Sequence, residues 1–274
     1  MRYSKKKWRS TAKVTIATVA VFATLATVAT QSATADSTDE PSADETSAEI
    51  LDAAPPVSEP DDLAEAPDGS LTATSDDGST VEVSTEGTEP VAITNAEGET
   101  VGLNVPGAAD GASVDGGVLF ENTLPATDIL VQPAADGGGV ALINIQDSTA
   151  PSAFNFPVEV PAGGFVALID DGGAAVFNAE GDTVVTIAKP WARDAAGNDV
   201  PTHFEVVDNK LIQHVDHSGV SAYPVVADPA WFIPVVWWVV RSWVANYAAK
   251  RVMESRGYRC DWWAPAWMCY KTVR

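Results

Sequence analysis

The chain has few cysteines, few histidines and almost no basic residues between its two ends. It contains two cysteines and three histidines among 274 residues. Residues 36–230 hold three of the 16 basic residues but 36 of the 38 acidic ones, a net charge of −33. A surface this acidic repels nucleic acid and anionic lipid and keeps the protein in solution. Nucleic-acid binding by this part of the chain is therefore disfavoured.

Catalytic signatures are also missing. The chain has no G-x-S-x-G, H-E-x-x-H, phosphate loop, dinucleotide fingerprint or C-x-x-C. The densest titratable group is formed by His203, His214, Asp216 and His217. If 210–215 is a strand, His214 and Asp216 face one side and His217 the other, so a shared metal needs a bend. Solvated turn residues are the favoured interpretation, and we predict no catalytic residue, no metal and no cofactor.

Paired acids offer one further metal hypothesis. Asp170 with Asp171, and the loop from Asp194 to Asp199, could bind calcium through carboxylates and carbonyls. Neither segment has EF-hand spacing. Turn and capping roles are favoured for these acids.

Residues 1–35 have the features of a secretory signal peptide. A basic start without acids is followed by an apolar stretch, Val14–Ala29, and by Ala33-Thr34-Ala35, a small-residue pattern that signal peptidase accepts. We predict cleavage before Asp36 and a secreted, extracellular mature chain. An uncleaved anchor is the alternative, but the acidic, proline-rich sequence after Ala35 favours cleavage.

The mature chain divides into three segments by composition. Residues 36–68 are rich in Asp, Glu, Pro, Ser and Ala and lack aromatics, which predicts a disordered acidic spacer. Residues 69–228 alternate short apolar runs with glycine turns every eight to twelve residues, which predicts a β-rich domain. The fold class is mainly β, an antiparallel sandwich or hairpin-rich module with a short C-terminal helix and a disulfide loop.

Turns and strands can be placed individually in the β-rich segment. Five turns present glycine where a positive φ is needed, at Gly78, Gly98, Gly137, Gly172 and Gly181. The predicted strands are Thr80 to Ser84, Gly139 to Ile145, Phe154 to Val160, Phe165 to Asp170, Ala174 to Asn178, Thr183 to Ala188, Phe204 to Val207 and Lys210 to Val215.

One turn sequence recurs at an offset of 83 residues. Asn95 to Val101 (NAEGETV) matches Asn178 to Val184 (NAEGDTV). Two related halves, near 70–132 and 139–228, would suit a sandwich of two sheets. Convergence of hairpin turns on similar residues is an equally good explanation.

The segment 229–274 differs abruptly in composition from the β-rich domain. It is predicted to hold a helix over Val235 to Ser255, ended by Gly257, and a loop closed by Cys260 and Cys269. Two cysteines in an exported chain favour a disulfide over a redox site. In the chain-entropy model such a short ring contributes about 2.5 to 3 kcal/mol. Two free thiols are the alternative.

Tryptophan and positive charge coincide in this carboxyl-terminal segment. Residues 231–274 contain seven of the nine tryptophans and seven basic residues against two acids. Indoles favour membrane interfaces and cations attract anionic lipid. The predicted membrane or envelope contacts are Trp231, Trp237, Trp238, Arg241, Trp243, Lys250, Arg251, Trp262, Trp263 and Trp267. Docking of these tryptophans on the β domain is the alternative, whereas Arg241 interrupts the apolar run too early for a transmembrane anchor.

A resemblance covers about 40 residues from Pro190 onward. The motifs are Pro190-Trp191-Ala192-x-Asp194-Ala195-x-Gly197, then Val200-Pro201-Thr202, and finally Tyr223-Pro224-Val225-Val226-Ala227-Asp228-Pro229. They resemble a segment of uncharacterised secreted proteins of high-GC Gram-positive bacteria, and the last motif resembles the β segment preceding repeats in secreted YD-repeat proteins. The resemblance implies a β module closed by a variable tail, without catalytic residues. The chain lacks YD repeats, which argues against a polymorphic toxin.

Three functional hypotheses follow. The first is an acidic β module that restrains a membrane- or envelope-active cationic tail until release near Asp228-Pro229. The second is a non-enzymatic structural or adhesive envelope protein with the tail packed in its fold. The third, an enzyme, requires a pocket around His203 to His217 and is the least favoured.

Overall fold

A computed structural model describes residues 41–55, 63–107, 109–134, 137–232, 243–244, 259–263 and 266–270, with side chains up to Trp231. This part of the chain contains one helix and 21 strands. A mainly β fold is therefore confirmed. All eight predicted strands are present, with ends that differ by at most two residues.

The elements are numbered in chain order. The first eleven are α1 (Ala43–Ala53), β1 (Leu63–Glu65), β2 (Leu71–Thr74), β3 (Thr80–Val83), β4 (Val91–Thr94), β5 (Thr100–Leu103), β6 (Ala112–Val114), β7 (Gly117–Leu124), β8 (Thr127–Pro133), β9 (Gly139–Ile145) and β10 (Ala153–Glu159). The others are β11 (Phe165–Leu168), β12 (Ala174–Phe177), β13 (Thr183–Ile187), β14 (Ala192–Asp194), β15 (Thr202–Val207), β16 (Lys210–Val215), β17 (Val225–Ala227), β18 (Ala230–Phe232), β19 (Trp243–Val244), β20 (Arg259–Trp263) and β21 (Ala266–Tyr270).

Seven turns in the described residues share one geometry. In each five-residue segment the first N–H donates to the fifth carbonyl, and the N–H of a glycine at the fourth place donates to the first carbonyl. These glycines have φ between 75° and 93°, a region that L side chains rarely adopt. The arrangement is a type I turn followed by a glycine bulge, and it confirms all five predicted glycine turns. The segments are 66–70, 75–79, 95–99, 134–138, 169–173, 178–182 and 194–198; in 134–138 the hydrogen bonds join residues 134, 137 and 138, and residues 135 and 136 lie outside the described ranges.

Two large antiparallel sheets form from these hairpins. The first has eight strands in the order β1-β2-β3-β4-β5-β10-β16-β15, and the second has the path β11-β12-β13-β18-β9-β8-β7-β6. Beside β18, β17 also pairs with β9 and carries β14 on its other side. The predicted halves do not correspond to the sheets, because β10, β15 and β16 join the first sheet and β6 to β8 join the second.

The main core lies between the two sheets. Alternate side chains of both sheets meet in one buried cluster, to which the first sheet contributes Ile93 and Phe156 and the second Phe120 and Ile143. Alternation is the expected consequence of the strand period of two residues. In β9, however, all seven residues are buried, so the second sheet is covered on both faces.

Helix α1 covers part of the outer face of the second sheet. Ile50 is 1% exposed and packs with Leu119, Leu130 and Leu142, whose neighbours in the strands point into the main core. A capping box between Ser42 and Glu45 begins the helix. The prediction of a disordered spacer over 36–68 is wrong for 43–53, because the apolar face of α1 packs on the second sheet. It is also wrong for β1, which pairs with β2 in the first sheet.

The carboxyl-terminal segment forms a separate three-stranded sheet in the order β19-β21-β20. Cys260 is paired with Cys269 in the β20–β21 hairpin, but the side chains of both lie outside the described part, so their disulfide stays a prediction. The helix predicted over 235–255 is not supported. Its two described residues, Trp243 and Val244, form β19, in keeping with the strand preference of aromatic and β-branched residues; the others lie outside the described residues.

Candidate functional site

Trp231 does not fit the predicted membrane contact. It is 2% exposed and belongs to the main core. Its ring lies against Gly139, where a Cβ would come within 2.6 Å of the indole Cζ2. The prediction for Trp231 is therefore wrong, because β18 carries this side chain into the sandwich.

The other predicted contact residues are distributed over described and undescribed parts of the chain. Trp243 lies in β19, Trp262 and Trp263 in β20, and Trp267 in β21, where it is paired with Trp262. Five lie outside the described residues: Trp237, Trp238, Arg241, Lys250 and Arg251. Contact of these nine residues with a membrane or envelope stays a prediction.

The junction between the β domain and the carboxyl-terminal segment is part of the second sheet. Residues 225–229 are buried, and β18 pairs with both β13 and β9. The amide of Ala141 donates to the carbonyl of Pro229 at 3.1 Å, and the amide of Ala188 donates to the carbonyl of Ala230 at 2.8 Å. Proteases cut exposed loop tips in preference to paired strands. Residues 225–232 are therefore a poor site for release of the segment.

A buried carboxyl group lies at this junction. Asp228 is 1% exposed, and its Oδ1 accepts a hydrogen bond from the amide of Trp191 at 3.0 Å. The amide of Asp228 in turn donates to the carbonyl of Trp191 at 3.3 Å. Desolvation raises the pKa of Asp228 to about 7, although the amides of Trp191 and Ala230 oppose the shift. Among the described residues no cation pairs with this acid.

The predicted histidine group separates into two unrelated places. His203 and His214 stack on the outer surface of the first sheet, with ring centroids 4.8 Å apart. His217 is 5% exposed, and its Nδ1 lies 3.0 Å from the hydroxyl of Tyr223 and its Nε2 3.3 Å from the carbonyl of Pro151. Asp216 accepts a hydrogen bond from Ser218 at 2.8 Å. No shared centre joins the four residues.

The calcium candidates act as turn residues. Oδ1 of Asp171 accepts from the amide of Gly173 at 2.8 Å, and Oδ1 of Asp194 accepts from the amides of Ala196 and Asn198. The side-chain amide of Asn198, followed by its backbone N–H, holds the pKa of Asp194 below its usual range. Within the described ranges no group of three or more His, Cys, Asp or Glu side chains could hold a metal ion.

An open groove of about 480 Å³ lies beside the last of these turns. Its acids are Asp194, Asp199 and Asp216, and the remaining wall comes from 198–201 and 218–221. Arg193 lies 3.4 Å from Asp199, and both side chains are largely exposed. The groove is lined by solvated carboxylates and contains no activated nucleophile or base, so it does not indicate a catalytic site.

The recurring turns meet in space, which the sequence did not predict. Glu99 of the first turn accepts from the side-chain amide of Asn95 at 3.0 Å and from that of Asn178 at 2.8 Å. One carboxylate thus joins equivalent asparagines of the two turns, which belong to different sheets. Each asparagine also accepts from backbone amides of its own turn. This cluster explains the shared asparagines as structural links between the sheets.

The pairing of His203 with His214 could have been predicted from the sequence. Residues 208 and 209 form a two-residue hairpin loop, with φ of 48° at Asp208 and 59° at Asn209, values typical of a type I′ turn. Such a loop pairs Val207 with Lys210 and consequently His203 with His214. Two predicted strands separated by two residues were the available indication.

Comparison with protein families, with curated proteins and with solved structures finds no match to the chain. Helix α1, the one helix of the described ranges, is not long and apolar enough to cross a membrane.

Proposed function

We propose that the mature chain is a non-enzymatic adhesive protein of the cell envelope, in which an acidic β sandwich carries a cationic, tryptophan-rich segment as a fixed extension of its fold. The observation that carries this proposal is the burial of the junction. β18 lies between β13 and β9, and Trp231 is 2% exposed. A segment that begins inside the core is anchored there, so adhesion fits better than release.

The charge distribution supports the assignment of the contact surface. Residues 36–230 carry a net charge of −33, whereas residues 231–274 carry seven cations against two acids. An anionic envelope attracts the second and repels the first. The sandwich therefore serves as a soluble carrier, and the segment after Phe232 makes the contact.

The hairpin of β20 and β21 suits a disulfide that rigidifies this contact. Cys260 and Cys269 are direct partners in an antiparallel pair. Opposed residues in such pairs have Cα atoms about 4.5 to 5.5 Å apart, within the range of about 4.4 to 6.8 Å that disulfides use. The disulfide would keep Trp262 opposite Trp267 both in the free protein and in the protein bound to the envelope.

A restrained, releasable tail is the second candidate, and the charge split favours it. Because residues 225–232 are paired and largely buried, release requires a cut after Phe232. Limited proteolysis of residues 36–274 distinguishes the two functions, because a first cut after Phe232 that frees the segment would favour the releasable tail. Cleavage first within 225–232 would contradict the anchored junction.

Vesicle binding tests the proposal directly. The mature chain is sedimented with vesicles that contain or lack anionic lipid, at low and high salt. One variant carries Arg241→Gln, Lys250→Gln and Arg251→Gln, and a matched control carries Lys189→Gln, Arg193→Gln and Lys210→Gln. Both change the net charge by the same amount. At roughly 1 kcal/mol per cation near an anionic surface, the first should bind about 100-fold more weakly and the control should bind normally.

Two results would overturn the envelope-binding assignment. One is equal loss of binding in both triple variants, since this would show a dependence on overall charge alone. The other is absence of binding by the unmodified chain at low salt, where attraction between charges is least screened.

A further inference from the structure

Two of the three histidines lie face to face at the edge of the first sheet. His203 of β15 is directly opposite His214 of β16, and their rings are stacked with centroids 4.8 Å apart and planes inclined by 12°. Within the described residues β15 has no neighbour on its outer side. His203 is exposed, and the side chain of His214 is 32% exposed. Both imidazoles are therefore within reach of ions in solution.

Glu205 sets the proton position on His214. Oε2 of Glu205 lies 2.9 Å from Nε2 of His214, and an ionised carboxylate can only accept. In the neutral ring Nε2 therefore carries the proton, which leaves Nδ1 as the nitrogen with a free lone pair. Metal-binding histidines characteristically donate their second ring nitrogen to a carboxylate in this way. This hydrogen bond and the strand register are separate observations, and both favour metal binding by the two histidines.

We propose that His203 and His214 form a two-histidine chelate for a divalent transition metal ion that prefers imidazole, namely Zn²⁺, Ni²⁺ or Cu²⁺, with Glu205 as the positioning residue of His214. Imidazole nitrogens bind zinc at about 2.0–2.1 Å, which brings the two ligand nitrogens to roughly 3 Å from each other. The rings reach this spacing by tilting about their side-chain bonds, while the paired strands stay in place. Water fills the remaining coordination positions.

The choice of metal follows from the ligands. Imidazole suits Zn²⁺, Ni²⁺ and Cu²⁺, whereas Ca²⁺ and Mg²⁺ prefer oxygen ligands. His217 and Asp216 are engaged elsewhere, and the described residues contain no three-ligand group. The chelate is therefore a two-ligand site. The net charge of −33 on residues 36–230 raises the local concentration of cations around it.

Calorimetric titration of the mature chain with NiCl₂ and ZnCl₂ tests the proposal. Single variants His203→Ala and His214→Ala should each weaken binding at least about 10-fold. Glu205→Gln should weaken it by about 10- to 100-fold, the usual effect of removing such a carboxylate. Glu82→Gln is the matched control, because Glu82 is an exposed carboxylate on another strand of the same sheet and has no histidine partner. It should bind like the unmodified chain.

A spectroscopic measurement separates positioning from folding. Ring ¹⁵N shifts of the metal-free protein should show His214 protonated on Nε2, and Glu205→Gln should give a mixture of tautomers while backbone spectra stay unchanged. On addition of zinc, the resonances of His203 and His214 should shift and those of His217 should not. Binding that survives both histidine variants would overturn the proposal, as would calcium binding of equal strength or absence of any metal binding.

Discussion

Ionisation of Asp228 should destabilise the junction as the pH rises. Burial raises the pKa of this acid from 3.8 to about 7 in the folded protein. The folded state therefore holds a proton between these values that the unfolded chain has lost. Because the folded state binds more protons, the free energy of unfolding falls as the pH rises from about 4 to about 7 and is level outside this window. Asp228→Asn removes the titration and keeps an oxygen that accepts from Trp191.

The magnitude follows from the two pKa values. One pKa unit corresponds to about 1.4 kcal/mol, so the difference between 3.8 and about 7 amounts to roughly 4 kcal/mol at full ionisation. Since Asp228 is 1% exposed, solvent screening does not reduce this figure much. Between pH 5 and pH 8 the stability of Asp228→Asn relative to the unmodified chain should rise by about 3 kcal/mol.

Urea unfolding at several pH values measures this difference. Tryptophan fluorescence can follow the transition, because Trp231 leaves the core when the chain unfolds. Other carboxyl groups titrate in both proteins, so only the difference between the two stability curves reports on Asp228. A difference that changes by less than about 1 kcal/mol from pH 5 to pH 8 would refute the assignment of a buried, unpaired acid.

Three further substitutions test the fold. Ile50→Ala should destabilise the protein by about 2–5 kcal/mol in urea unfolding, because Ile50 is 1% exposed on the face of α1 that packs on the second sheet; a loss no larger than that of the exposed control Glu49→Ala would show that α1 does not pack. Gly98→Ala should cost about 1–2 kcal/mol by its φ of 82° alone, since a Cβ there meets no atom within 4 Å, and a neutral thermal unfolding result would contradict the shared turn geometry. Asn178→Ala should remove the 2.8 Å link to Glu99 and destabilise by about 1–3 kcal/mol. In Glu99→Ala, which leaves no side-chain oxygen for Asn178, the further effect of Asn178→Ala should be smaller; additive effects would contradict the link.

The strands and turns were predictable because their causes are local. Glycine at the fourth place of a turn and the alternation of apolar residues act within five or six residues, so Gly98 and Gly181 marked their hairpins correctly. Helix α1 was missed because its capping box at Ser42 stood in an acidic segment with only Ile50 and Leu51 as large apolar residues. Their partner is the outer face of β7 to β9, more than 60 residues further along the chain. Local composition contains no sign of that contact.

The candidate sites depended on register, which is only partly local. His203 and His214 face each other because of the two-residue loop at 208–209, which a pairing argument could have found. The position of β18 between β13 and β9 has no such local cause. Trp231 was assigned to a membrane contact because it begins a segment rich in tryptophan and cations. The pairing of β18 with residues 139–140 and 186–187 places this side chain in the core instead.

The burial of β9 on both faces connects these observations. A strand that faces water on one side alternates apolar and polar residues, whereas one buried on both faces does not. Gly139 to Ile145 reads GVALINI and is buried throughout, with α1 over one face and the main core on the other. Gly139 leaves room for the indole of Trp231, so the anchor of the cationic segment depends on the same strand. Extraction of Trp231 should cost about as much as removal of a core tryptophan, 3–5 kcal/mol. Envelope binding through residues beyond Phe232 should therefore leave β18 in the sheet. The amide of Ala141 donates to the carbonyl of Pro229, and the amide of Ala188 donates to the carbonyl of Ala230 in β18. Both amides should exchange hydrogen equally slowly in the free and the vesicle-bound protein.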